Sequence, residues 1–134
     1  MEVTMEISEK EMKALIAAQQ GELDAVLMYN ALAKVVKDEK DAETFKQLAA
    51  EEGHHASVFK SLTNAVLKPK KTLARLVPFL YRIIGKKLLY PIIAKSEYGA
   101  DANYEQFVDK FEIVRSVKAD EKRHGDTVRG LLEK

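Results

Sequence analysis

Between residues 45 and 66, the side chains that a helix would bury recur at a strict 3-4-3-4 spacing: Phe45, Leu48, Glu52, His55, Phe59, Leu62 and Val66. That period belongs to one face of an α-helix packed against others. Two of the positions, in the middle of the stripe, hold a carboxylate and an imidazole. A lone buried carboxylate costs several kcal/mol and would ordinarily take up a proton. A chain with this stripe must therefore fold into a helix that hides charge, and it must neutralise that charge.

Three more stripes of the same kind follow from the sequence. Ser8 with Glu11 forms a capping-box pattern, and Met12, Leu15, Gln19, Glu22, Val26, Tyr29 and Ala33 run down the face that follows it. The helix of the 45–66 stripe is expected to start near Asp41. A third helix is expected to open near Pro91, which suits a first turn, with Ala94, Glu97, Asp101, Tyr104 and Val108 inward. A fourth carries Val114, Val117, Glu121, His124, Val128 and Leu131. Strand signals are nearly absent, with no Asn-Gly or Asp-Gly turn. The expectation is one all-α domain over residues 1–134. Two helical hairpins, about 8–67 and 91–132, are joined by the long segment 68–90. Short links make the hairpin partners antiparallel, and the long crossover makes the second and third helices parallel.

Each inward stripe contains a carboxylate: Glu22, Glu52, Glu97 and Glu121. Two of them are followed three residues later by His55 and His124, one turn on along the same face. Two divalent cations would neutralise four carboxylates, leaving both imidazoles neutral. A Glu from each of two helices plus Glu-x-x-His from each of the other two is the donor set of di-iron and di-manganese bundles. The chain also repeats internally. Tyr29 follows Glu22 by seven residues, and Tyr104 follows Glu97 by seven. "AEEGHHASVFKSL" aligns with "ADEKRHGDTVRGL", matching Glu52 to Glu121 and His55 to His124. Two equivalent hairpins would dock about a pseudo-twofold axis that runs through the site. His54 points about 100° away from His55 on helix geometry and is expected outside it.

On these residues, over about 8–67 and 91–132, the chain resembles the ferritin-like superfamily, and most of all its rubrerythrin branch. The resemblance implies a ferritin-like four-helix bundle with a non-haem di-iron centre that reacts with hydrogen peroxide or oxygen. It implies Glu22, Glu52, His55, Glu97, Glu121 and His124 as the metal ligands. Tyr29 and Tyr104 would be its helical tyrosines, close to the metals without binding them. Two departures stand out. The chain has no cysteine for the rubredoxin module of many rubrerythrins, so electrons are expected from a separate donor protein. Rubrerythrins also tend to carry a second glutamate one turn from the third-helix ligand, where this chain has Ala94 and Ala100. That brings the site nearer the six-ligand pattern of ferritins.

Composition narrows the remaining choices. The absence of cysteine excludes a disulfide, a thiolate zinc site, an iron–sulfur cluster and a thiol nucleophile. No signal peptide and no apolar run long enough for a bilayer are visible, and a cytoplasmic protein is expected. Carboxylate and imidazole donors also suit manganese or zinc. Residues 68–91 differ from the rest, with 7 basic and no acidic side chains. A crossover helix laid on the bundle or on a second subunit is the expected reading. An interfacial helix on anionic lipid is the alternative, and no nucleic-acid motif accompanies the segment. A homodimer is the expected assembly. Two function classes result: a di-iron oxidoreductase of peroxidase or ferroxidase type, and a non-catalytic iron-binding or storage-related module able to dock on a membrane.

Overall fold

The computed structural model describes residues 6–133. Among them the regular structure is helical: α1 (Glu9–Val35), α2 (Glu39–Thr63), α3 (Thr72–Ile84), α4 (Lys86–Val108) and α5 (Val114–Gly130). α1 begins as its capping box requires. The Ser8 backbone N–H donates to Glu11 Oε1 at 2.9 Å and the Glu11 N–H donates to Ser8 Oγ at 3.0 Å. α2 begins two residues before the expected Asp41. Asp38 is the N-cap, taking the N–H groups of Lys40 and Asp41. Asp41 is thereby released from capping. Its buried carboxylate accepts the Tyr90 hydroxyl at 2.8 Å and ties the start of α2 to α4.

The hairpins form as their short links dictate, α1 against α2 and α4 against α5. Two apolar clusters build the core. One joins Leu32, Phe45, Leu48, Tyr90, Ile93, Val128 and Leu131 at one end of the bundle. The other joins Leu15, Ala18, Phe59, Tyr104, Phe107, Val114 and Val117 at the opposite end. The start of α2 thus shares a cluster with the start of α4, so these two helices run parallel, as the crossover topology requires. Between the clusters lies the polar layer.

Two further boundaries differ from the sequence expectation. α4 starts at Lys86 rather than near Pro91, so Pro91 lies inside the helix. The bond it forgoes would fall on the Lys87 carbonyl, and Lys87 is on the exposed side, where water can satisfy that group. α2 ends at Thr63, with Asn64 in the left-handed conformation at φ 56°, and Val66 beyond it is 85% exposed rather than buried.

The crossover is strapped to α1. The Gln19 and Gln20 amides donate to the carbonyls of Ala65 and Lys68, and the Lys70 N–H donates to Asp24 Oδ1 at 2.7 Å. The strap leads into α3, which packs on α1 and buries Val77 and Pro78. Tyr81 Oη accepts the Lys37 N–H from the α1–α2 turn. The expected crossover helix laid on the bundle is therefore present, but only part of its apolar arc is covered. α3 and α4 are linked by Gly85 alone, whose φ of 75° lets the chain turn there without a side-chain clash. No helix among the described residues is long and apolar enough to cross a membrane.

Candidate metal centre

The polar layer is built from α1, α2, α4 and α5, one or two side chains from each. Glu22, Glu52, His55, Glu97, Glu121 and His124 are all buried. Ligand atoms of Glu52, His55, Glu121 and His124 lie within 4.8 Å of one another. Glu22 and Glu97 reach the same cluster from α1 and α4: Glu22 Oε2 lies 3.6 Å from His55 Nδ1, and Glu97 Oε2 lies 3.3 Å from His124 Nδ1. The structure brings all six expected donors into one layer.

Their arrangement has two halves. Glu52 Oε1 stands 3.0 Å from His55 Nδ1 and 3.2 Å from His124 Nδ1. Glu121 Oε1 stands 2.8 Å from the first nitrogen and 3.7 Å from the second. These two carboxylates lie between the histidines, whose rings are stacked with centroids 5.4 Å apart. Glu22 belongs to the His55 half and Glu97 to the His124 half. The internal repeat of the sequence is thus a repeat in space.

The tyrosines cross between the hairpins. Tyr29 of α1 donates its hydroxyl to Glu97 Oε1 of α4 at 2.6 Å, and Tyr104 of α4 donates to Glu22 Oε2 of α1 at 2.9 Å. Each hairpin therefore orients the outer glutamate of the other. Burial, with the adjacent carboxylates, pushes both phenols above their ordinary range, so they stay protonated donors. Asp101 stands apart from this layer, bonded to Lys118 at 2.7 Å. His54 is exposed, as helix geometry requires.

Two residues that sequence reasoning missed complete the geometry. His55 Nε2 is 2.8 Å from Asp120 Oδ2, and His124 Nε2 is 3.0 Å from Glu51 Oε1. The far nitrogen of each histidine is held by the acid just before the Glu-x-x-His of the other hairpin, which turns Nδ1 inward. Arg123 spans both acids, pairing with Glu51 and with Asp120. The signal was present in the sequence as "EE" at 51–52 and "DE" at 120–121. Gly125, next to His124, helps to hold α4 close. A Cβ there would stand 2.5 Å from the Tyr98 ring.

Protons carry the charge compensation within these residues alone. Burial raises Glu22 to about 7. Burial and the charges of Glu22, Glu97 and Glu52 raise Glu121 to about 10 against its contact with His55. Glu52 goes the other way despite burial, because both histidines face it. Burial would lower both histidines, but Glu52 and Glu97 lift His124 to about 11, and Glu121, Glu22 and Glu52 lift His55 well above its ordinary range. Even so, Glu97 Oε2, Glu121 Oε1 and His124 Nδ1 meet only ionisable neighbours, at 2.8 to 3.7 Å, and none makes a well-formed hydrogen bond. Buried polar atoms are rarely left so. All three belong to the donor layer that the two halves share, where a cation would satisfy them. Oxygen and imidazole donors, buried and oriented from behind, fit a metal ion.

The comparisons with known proteins bear on the same residues. A family model described as Rubrerythrin matches residues 13–83, which span most of α1, all of α2 and nearly all of α3. No curated protein and no solved structure matches. The match ends before α4 and α5, so half of the donor layer lies outside it, and the packing supplies that half. With more than half of its length matched, and with a buried Glu/His cluster at the heart of an all-helical bundle, the chain belongs to the rubrerythrin family.

Proposed function

We propose that Glu22, Glu52, His55, Glu97, Glu121 and His124 hold two iron ions and that the protein is an oxidoreductase acting on hydrogen peroxide or oxygen. The observation that carries this reading is the pair of equivalent half-sites sharing Glu52 and Glu121, in which three buried donor atoms have ionisable neighbours but no well-formed hydrogen bond. Each half offers one outer glutamate and one histidine, and the halves share two carboxylates. Four carboxylates against two divalent cations leave no net charge in an interior that tolerates little.

When bound, the ion pair supplies two adjacent one-electron donors for an oxidant. The chain does the rest. Tyr29 and Tyr104 fix the outer carboxylates, and Asp120 and Glu51 fix the imidazole tautomers with Nδ1 inward. The apolar clusters above and below keep bulk water from the layer. Reduction of hydrogen peroxide to two waters consumes two electrons and two protons, and the reading assigns the electrons to a donor protein. Ala94 and Ala100 stand one turn either side of Glu97, and Asp101 is held by Lys118, which favours a site with six protein ligands.

Anaerobic titration of the metal-free protein with ferrous iron, followed by peroxide, tests the reading. Saturation at two iron ions per chain and a change in the optical spectrum on oxidation are expected. Saturation well below two, or an unchanged spectrum, overturns it.

A further inference from the structure

The face formed by α3 and the first turns of α4 is left uncovered and has an unusual composition. Leu76, Phe79 and Ile83 of α3 are 46%, 58% and 66% exposed, and Leu88 and Ile92 of α4 are 62% and 58% exposed. Contiguous exposed apolar side chains mark a contact surface. On α3 they occupy an arc beside Arg75 and Arg82, which fall at one angular position two turns apart. Lys70, Lys71 and Lys87, in the segment that forms this face, are exposed too. From residue 68 to residue 91 no acidic side chain offsets these charges.

A cleft of about 240 Å³ runs into this face between α1, α3 and α4. Its walls are apolar, including Met28, Leu73, Leu76, Leu80 and Ile92, and it reaches Tyr29.

We propose that this face docks on the surface of an anionic phospholipid bilayer, with Leu76, Phe79, Ile83, Leu88 and Ile92 among the acyl chains and the flanking arginines and lysines on the lipid phosphates. An amphipathic helix with a basic flank lies in such an interface through both terms at once. The cleft gives one acyl chain a seat. Charge decides against the other occupants. A closed twofold dimer through this face would set its cations against their own copies. A nucleic acid would match the cations but would leave Phe79 and Ile83 against phosphate. The docking is independent of the metal reading: an iron-free chain docks as well as a loaded one.

Sedimentation of the full chain with vesicles of phosphatidylglycerol and phosphatidylcholine in equal parts tests this. The chain is expected to pellet with these vesicles, to stay in solution with pure phosphatidylcholine, and to be released by high salt. The double variants Phe79→Asp/Ile83→Asp and Arg75→Glu/Arg82→Glu each weaken partitioning roughly tenfold or more. All four positions are exposed, so helicity and thermal unfolding should not change. The chain has no tryptophan, so Phe79→Trp gives a single reporter, whose emission shifts to the blue with anionic vesicles. The proposal fails if the wild type does not pellet, if Phe79→Asp/Ile83→Asp pellets equally, or if the emission of the Phe79→Trp variant does not move. It also fails if sedimentation velocity shows a dimer that Phe79→Asp/Ile83→Asp splits, which would make the face a subunit interface.

Discussion

Asp120 Oδ2 and His55 Nε2 are 2.8 Å apart, although 65 residues separate them in the chain. His124 and Glu51 repeat the pairing at 3.0 Å across 73 residues. Each Glu-x-x-His motif thus comes with an acid that serves the other motif's histidine. The centre cannot form in one hairpin alone.

Removing such an acid should loosen the metal without unfolding the bundle. Asp120→Ala leaves His55 free to rotate and is expected to weaken metal binding roughly 10- to 100-fold, the usual cost of losing a partner behind a ligand. Asp120→Asn keeps an acceptor and should lose less. Competition against a chelator of known affinity reads both, with circular dichroism as the control for folding.

Loss of a shared or inward donor is more severe. Glu52 faces both histidines, and His124 faces Glu52 and Glu97. Glu52→Ala and His124→Ala should each abolish binding of the metal pair while the helical content stays native. Metal analysis after purification without added metal checks this, and full occupancy in either variant would show that the six donors are wrongly assigned.

Metal loading should release protons. In the protein without metal, Glu22 and Glu121 are raised to about 7 and about 10, and both histidines are raised above their ordinary range. Near pH 7, Glu121 and the histidines hold protons and Glu22 holds one about half of the time. Ligation needs carboxylates and neutral imidazoles, so these protons must leave. Titration in weak buffer at pH 7 should show release on the order of three to four protons per chain. Because the metal-free form binds more protons, apparent affinity should climb with pH from 6 upward, and a flat profile would contradict the assignment.

The crossed tyrosines should matter for stability as well as for the site. Tyr29→Phe removes the donor to Glu97 Oε1, and Tyr104→Phe removes the donor to Glu22 Oε2. Each leaves a buried carboxylate oxygen short of a partner, at a cost of about 1–3 kcal/mol. Thermal unfolding of the metal-free protein reads the loss. Within the metal-bound protein, the same variants should shift the optical spectrum, because an untethered glutamate changes its position.

At the other end of α1, Ser8→Ala dissolves the capping box and should cost about 1 kcal/mol with no effect on metal content. Fraying there begins far from the donor layer, so the contrast with Tyr29→Phe separates helix stability from site geometry.

How much was legible beforehand depends on the range of the interaction. Helix faces follow from spacing within a few residues, so the stripes through Glu22, Glu52, Glu97 and Glu121 could be read directly, as could both histidines. The parallel course of α2 and α4 followed from link lengths. Helix ends were less legible. Pro91 suggested a start, but an exposed Lys87 carbonyl tolerates the missing bond, and the helix runs back to Lys86. Asp41 suggested a start, but Asp38 caps the helix, and the Asp41 carboxylate takes the Tyr90 hydroxyl from 49 residues away.

The sequence alone determined which residues must be buried together and which charges needed an answer, because periodicity is a local property written into each helix. Only the tertiary structure decided how the two hairpins serve one another. Asp120 behind His55, Glu51 behind His124, and each tyrosine on the opposite glutamate are contacts between helices whose relative rotation no local pattern encodes. The same holds for α3, where the sequence showed an apolar arc and packing on α1 chose which part of it to cover. Rotation and stagger between helices are set by side-chain packing over the whole interface, and that sum exists only in the folded chain.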